Sequence, residues 1–270
     1  MLQTTRSRLL QTTIAGLLMA VVTGCSAIES EKILERHDRT QAEMAQIRPI
    51  MRVASATRER GDLATAAGLY KRAHELTPER IEPLIHLGYT LNQAGASAEA
   101  AEAFRQALRL EGDNAEALRG LGLALMQRDQ LDLAIEKFEA ALDASEDVRV
   151  YNALGVAYDM IGDHQAAQTH YYAGLDLDAG SLSLRTNLGL SLALSGDFQD
   201  SIALLNAVSR DPMATPEHRQ ILALAYGLAG DTQAAARTAR IDLDETSVKQ
   251  YLRYYEQLRS QREAATASGS

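Results

Sequence analysis

Between about Ile47 and Lys249 the chain repeats itself with a period close to 34 residues. The stretch "LIHLGYTLNQAGASAEAAEAFRQALRLEGDN" aligns with "ALRGLGLALMQRDQLDLAIEKFEAALDASED" and with "VYNALGVAYDMIGDHQAAQTHYYAGLDLDAG". Gly88, Gly122, Gly155 and Gly189 mark one place in successive units, and Ala54 and Ala223 extend that series. A second series runs Ala66, Ala100, Ala134, Ala167, Ser201, Ala235, and a third runs Tyr70, Phe104, Phe138, Tyr171, Leu205, Ala239. Three series in one register place strong limits on the fold, because a fixed period of this length belongs to stacked units that bury apolar faces against their neighbours.

The units read as helix pairs. Leu84, Leu87 and Leu91 fall on one helical face, and Gly88 between them removes a side chain where a partner helix must approach. Ala100 does the same on the second helix, Phe104 fills the space between the two, and Ala107 admits the next unit. Gly61-Asp62, Gly162-Asp163, Gly196-Asp197 and Gly230-Asp231 each put a glycine where a helix closes in a left-handed residue and an aspartate where the next is capped. With only 5 Pro, no Trp and 46% hydrophobic residues, the composition suits stacked helices, so an all-α fold is expected. The pattern resembles the tetratricopeptide repeat, W-x2-L-G-x2-Y followed by A-x3-F and P. That resemblance implies a superhelix of about six helix-turn-helix units with a C-terminal capping helix.

Departures from the repeat are informative. Ile50, Leu84, Leu118 and Tyr151, then Arg185 and Arg219, stand where the pattern has Trp, and Asp242 takes the place of Ala107 and Ala141. Stacking should therefore change after the sixth unit. In "ETSVKQYLRYYEQLRSQ", Val248, Tyr251, Leu252, Tyr255 and Leu258 share a face that suits a terminal helix covering the last open core edge, and the closing "ATASGS" is expected to be disordered.

The only cysteine, Cys25, ends the run "GLLMAVVTGCS". Arg6 and Arg8 precede an apolar segment from Leu9 to Val22 that is too short for the roughly 20 residues of a membrane span, so a cleaved signal fits. "VTGC" resembles the lipobox of bacterial lipoproteins, which implies acylation of Cys25; Ser26 rather than Asp after it implies the outer membrane. Residues 1–24 are thus expected to be a lipoprotein signal peptide, 25–46 an acylated cysteine with a polar tether, 47–249 the repeat domain, and 250–270 the end of the capping helix and a tail. The formal charge is −9, and loss of Met1 to Gly24 would remove two arginines and no acid. With no basic stripe of interleaved aromatics, nucleic acid is not an expected partner.

No metal spacing joins His37, His74, His86, His164, His170 and His218, and no phosphate-cradle or nucleophile motif is present, so neither cofactor, metal, small-molecule substrate nor catalysis is expected. What such an array offers is an inner wall of first-helix side chains able to hold a peptide or helix. The repeat register places Ile85, Tyr89, Arg119, Leu123, Met126, Asn152, Val156, Asn187, Leu190, Gln220 and Leu224 on that wall. Asn152 and Asn187 are suited to bonding a peptide backbone, or to hydrogen bonding between helices.

The lipobox, the tether, the repeats and above all the tail "ARTARIDLDETSVKQYLRYYEQLR" together resemble the TadD-type lipoproteins of tight-adherence (Flp) pilus assembly. The resemblance implies a periplasmic adaptor, lipid-anchored to the outer membrane, that assists a secretin or other pilus components and has no enzymatic step. Pilotins of type IV pili, lipoproteins of β-barrel assembly and regulators of peptidoglycan hydrolases are the alternative readings.

Overall fold

The structure, a computed structural model, describes residues 45–268, and every regular element among them is a helix. The signal segment, Cys25 and the tether up to residue 44 lie outside the described residues. Ala45 and Gln46, placed in the tether by the sequence, belong instead to α1 (45–59), in keeping with the good helix propensity of both residue types. There follow α2 (Leu63–Leu76), α3 (Glu82–Gln93), α4 (Ser97–Leu110), α5 (Ala115–Met126), α6 (Leu131–Ala144), α7 (Val148–Met160), α8 (His164–Leu177), α9 (Leu182–Ser195), α10 (Phe198–Ser209), α11 (Pro216–Leu228), α12 (Thr232–Ala239) and α13 (Glu245–Ser268).

The chain divides into two compact units, Met1–Pro83 and Leu84–Ser270. In the first, Ala54 of α1 and Ala66, Tyr70 and Ala73 of α2 are buried, as their places in the repeat require. In the second, α5 pairs with α6, α7 with α8, α9 with α10 and α11 with α12. The first helices of neighbouring pairs also touch, α5 on α7, α7 on α9 and α9 on α11, and so form one continuous wall.

Pair spacing is set by the glycine series meeting the aromatic series. A Cβ on Gly88 would lie 2.6 Å from the Phe104 ring, and one on Gly189 would meet Leu205 at 2.6 Å. On Gly122 and Gly155 it would come closer still, to the rings of Phe138 and Tyr171. Gly120, one turn before Leu123, opens the other side of the Phe104 pocket, where a Cβ would again collide with the ring. Glycine inside a helix costs about 1 kcal/mol relative to alanine, whereas full burial of a Phe-sized side chain stabilises by roughly 1.5–3 kcal/mol, so the exchange favours the pair. Ser201 occupies a place otherwise held by alanine, and its buried hydroxyl donates to the Gly189 carbonyl at 2.6 Å, which offsets its desolvation.

The turn inside each pair closes through a left-handed residue: Gly61 (φ 86°), Gly95 (76°), Asp129 (58°), Gly162 (85°), Gly196 (105°) and Gly230 (86°). Asp129 was hidden from a search for glycine, although it sits in register; aspartate is among the few residues that tolerate this region. Asp62, Asp163 and Asp231 cap as expected, accepting from the backbone N–H of Thr65, Ala166 and Ala234. Asp197 does not; its carboxylate accepts from the Ser195 hydroxyl at 2.9 Å instead.

The array changes at the sixth pair, as Asp242 suggests. α12 has 8 residues where α4, α6 and α8 have 14 each. Asp242 then receives a two-pronged pair of hydrogen bonds from Arg219, Nε to Oδ2 at 2.7 Å and Nη2 to Oδ1 at 2.6 Å, which holds its carboxyl below the usual range. α13 covers the end. Val248 and Tyr255 are buried among Ala223, Ala235, Ala236 and Ala239, and Leu252 packs beside them. The helix also reaches back one pair, where Leu258 packs on the cluster of Ala193 and Leu205, and Arg262 donates to the Ala193 carbonyl at 3.1 Å. Tyr251, placed on the covered face by periodicity, stays at the rim, 37% exposed. The helix persists to Ser268, so the stretch 265–268 is not disordered as expected; its alanines extend an existing helix at little cost, and Gly269 and Ser270 lie outside the described residues.

Gly155→Ala should destabilise the protein by about 1–3 kcal/mol, since the Tyr171 ring must move. At Gly162 an added Cβ meets nothing within 4 Å, so Gly162→Ala should cost only the backbone strain, about 1–2 kcal/mol, and Asp129→Gly should act in the opposite direction. Urea-melt midpoints of the three variants decide the matter, and a Gly155→Ala protein as stable as the parent would remove the role given to the close contact.

Candidate functional site

The first-helix wall of the second unit is where the sequence places partner-binding residues. Ile85 does not contribute surface: it is 5% exposed, because its helical position turns it into the packed side of α3. Tyr89, Arg119, Leu123, Met126, Asn152, Val156, Asn187, Leu190, Gln220 and Leu224 are all half-buried, with one side on neighbouring helices and the other open. Five of them, Arg119, Leu123, Met126, Asn152 and Val156, come together around a cavity of about 300 Å³ formed by α5, α7 and α9.

Contacts between successive helices order this wall. Tyr89 donates its hydroxyl to the Glu116 carbonyl at 3.0 Å, and the Arg119 guanidinium lies over its ring at 5.0 Å. Burial pushes the Tyr89 phenol up to about 12. Asn187 donates to the Asn152 side-chain oxygen at 2.8 Å, so the two amides are bonded to each other across α7 and α9. Whichever way round the amides are set, one NH2 group and one carbonyl oxygen of the pair remain available.

Sequence reasoning missed the amino-terminal half of the cavity, lined by Val148, Arg149, Ser181 and Ser183. The signal was present, because these residues lie one helical turn before Asn152 and close before Asn187. Arg149 is committed to Asp147, with Nη2 to Oδ2 at 2.6 Å and Nε to both carboxylate oxygens at 3.1 and 3.0 Å. That guanidinium holds the Asp147 carboxyl well below its ordinary range, while the same carboxylate caps α7.

Behind the wall lies a polar cluster that superficially groups a serine, a histidine and an aspartate. Asp159 accepts from Ser191 Oγ at 2.7 Å and Tyr171 OH at 2.9 Å, and its Oδ1 lies 2.8 Å from His164 Nδ1. The serine hydroxyl donates to the carboxylate rather than to the imidazole, so the imidazole does not activate it as a nucleophile. The carboxylate is instead a hub that ties α7, α8 and α9 together. Among the described residues no group of three or more His, Cys, Asp or Glu is disposed to hold a metal ion.

Residues 87–149 match a family model described as tetratricopeptide repeat, and residues 148–180 match a second with the same description. The helix pairs within residues 87–180 are matched as tetratricopeptide repeats. Solved structures with the tetratricopeptide-like arrangement of this chain include pilF of Pseudomonas aeruginosa, with a TM-score of 0.65 and 15% identity over 78% of this chain and 98% of that one. YrrB, described as a TPR protein with an unusual peptide-binding site, has a TM-score of 0.52 and 20% identity over 67% and 96%. A thermophilic TPR protein of Thermus thermophilus, TTC0263, has 0.59 and 17% over 66% and 98%. At these identities the likeness is one of fold. No curated protein sequence matches the chain significantly. A tetratricopeptide array is a scaffold for protein–protein interaction.

Two outcomes follow for the wall and its support. Asp159→Ala leaves Tyr171, Ser191 and His164 without their common acceptor and should destabilise the protein by about 1–3 kcal/mol, measured by thermal or urea unfolding. Burial also raises Tyr255 to about 12 from an ordinary 10.0. A phenol raised by folding contributes stability that is complete below pH 10 and is lost as pH rises toward 12. Tyr255→Phe should therefore lose less stability than the parent between those two pH values.

Proposed function

We propose that the protein is a lipid-anchored periplasmic adaptor of the outer membrane that holds other proteins on its first-helix wall and assists assembly of a tight-adherence (Flp) pilus machine, with the secretin or another pilus component as partner. The observation that carries the adaptor reading is the open cavity between α5, α7 and α9, rimmed by side chains with unused hydrogen-bonding capacity. The anchor rests on "VTGC" and the single Cys25, and the pilus system rests on the resemblance of the tail from Ala236 to Arg259. Stable anchoring follows from the several acyl chains of a mature lipoprotein, since one chain alone binds a bilayer only marginally.

Cys25→Ser in the full-length protein should abolish incorporation of radiolabelled palmitate and remove the protein from the outer-membrane fraction; unchanged fractionation removes the anchor from the reading. Deleting the gene should abolish surface Flp pili or secretin multimers. Normal pili together with normal multimers would remove the pilus assignment and leave the adaptor reading to be tested by affinity purification.

A further inference from the structure

Arg119 lines the wall cavity without an acidic partner among the described residues. Its guanidinium stacks over Tyr89, and its buried Nε has no hydrogen-bond partner. No carboxylate of the described residues lies within ion-pair distance of it, although acidic residues outnumber Lys and Arg by 36 to 27 in the chain. The other arginine at the cavity, Arg149, already has Asp147. Asp147 and Glu116 are acidic groups whose charges reach this corner; Asp147 is hydrogen-bonded to Arg149 and feels Arg119 only at longer range, and neither acid is ion-paired with Arg119. A planar, weakly hydrated cation held over an aromatic ring is oriented in advance for a carboxylate arriving from outside.

The groups around Arg119 indicate what carries that carboxylate. Leu123, Met126 and Val156 form an apolar floor beside it. Asn152 lines the same cavity, held in place by its bond to Asn187, and its remaining hydrogen-bonding capacity is able to serve an extended backbone. Tyr89 lies on one side of Arg119 and the amide pair on the other, so a segment following the wall continues past Arg119 in both directions.

Resting on the adaptor reading above, we propose that the cavity binds an extended peptide segment through an internal aspartate or glutamate paired with Arg119, next to an apolar side chain seated on Leu123, Met126 and Val156. The acid is a side chain within the segment, not the carboxylate of a chain end. The cavity thereby gives the wall a sequence preference: acidic beside apolar, read by one guanidinium and one pair of amides. Charge complementarity commits the site to this occupant, because an apolar peptide would leave the Arg119 corner unsatisfied and a basic one would meet it with like charge.

The test uses the purified full-length protein in detergent against two displayed libraries of random dodecapeptides, one with both ends blocked by flanking sequence and one with a free carboxyl end. Peptides with an internal acidic residue beside an apolar one should be enriched from the blocked library. Replacing that acid by its amide should weaken binding by about tenfold or more toward the parent protein and have no effect toward Arg119→Gln, whose folding is checked by its circular-dichroism melt. Arg119→Lys, which keeps the charge and gives up the planar stack, should retain part of the preference, and it carries the test with the peptide substitutions if Arg119→Gln does not fold. Enrichment of peptides without an acid, or with the acid only at a free chain end, overturns this inference and leaves the adaptor reading standing. No enrichment from either library overturns the groove reading beneath it.

Discussion

The second unit depends on one recurring contact, a helical glycine lying under a large side chain of the paired helix. Neither residue is favourable alone. The glycine weakens its own helix by about 1 kcal/mol, and the ring would have no space if the glycine carried a methyl group. Together they let two backbones approach while the largest side chains of the core, Phe104, Phe138 and Tyr171, are completely enclosed. Where the second-helix residue shrinks to Ala239, the facing position is Ala223, and Val248 and Tyr255 of α13 complete the cluster with them.

Because this contact is written into the period, the sequence alone conveys the helix pairs, their turns and the wall they form. What it did not convey depends on contacts off the period. Asp129 carries the same left-handed turn as its glycine counterparts and is invisible to a glycine count. Asp197 has the sequence of a cap, yet a neighbouring serine claims its carboxylate. Ile85 lies in the register of the wall and is packed inside, while Val148, Arg149 and Ser183 lie outside the expected set and line the cavity. A helical register specifies an angle; it does not say which neighbour occupies the space at that angle.

The wall also shows how polar groups are shared between packing and open surface. The amides of Asn152 and Asn187 bond each other across α7 and α9, and Asn152 keeps part of its capacity on the cavity side. Arg149 is neutralised by the residue that caps its own helix, whereas Arg119 rests on an aromatic face, which orients it without cancelling its charge. A binding surface made this way needs little rearrangement on contact, so less of the interaction is lost to ordering side chains.

The terminal helix has a consequence for how such an array comes apart. Stacked repeats ordinarily fray from their ends one neighbour at a time. Here α13 is fastened both to the sixth pair, through Val248 and Tyr255, and to the fifth, through Leu258 and Arg262. Peeling it away strips cover from two repeats at once, so the carboxyl-terminal third opens as one cooperative block, and its amides should exchange with solvent at a common rate instead of along a gradient toward the end.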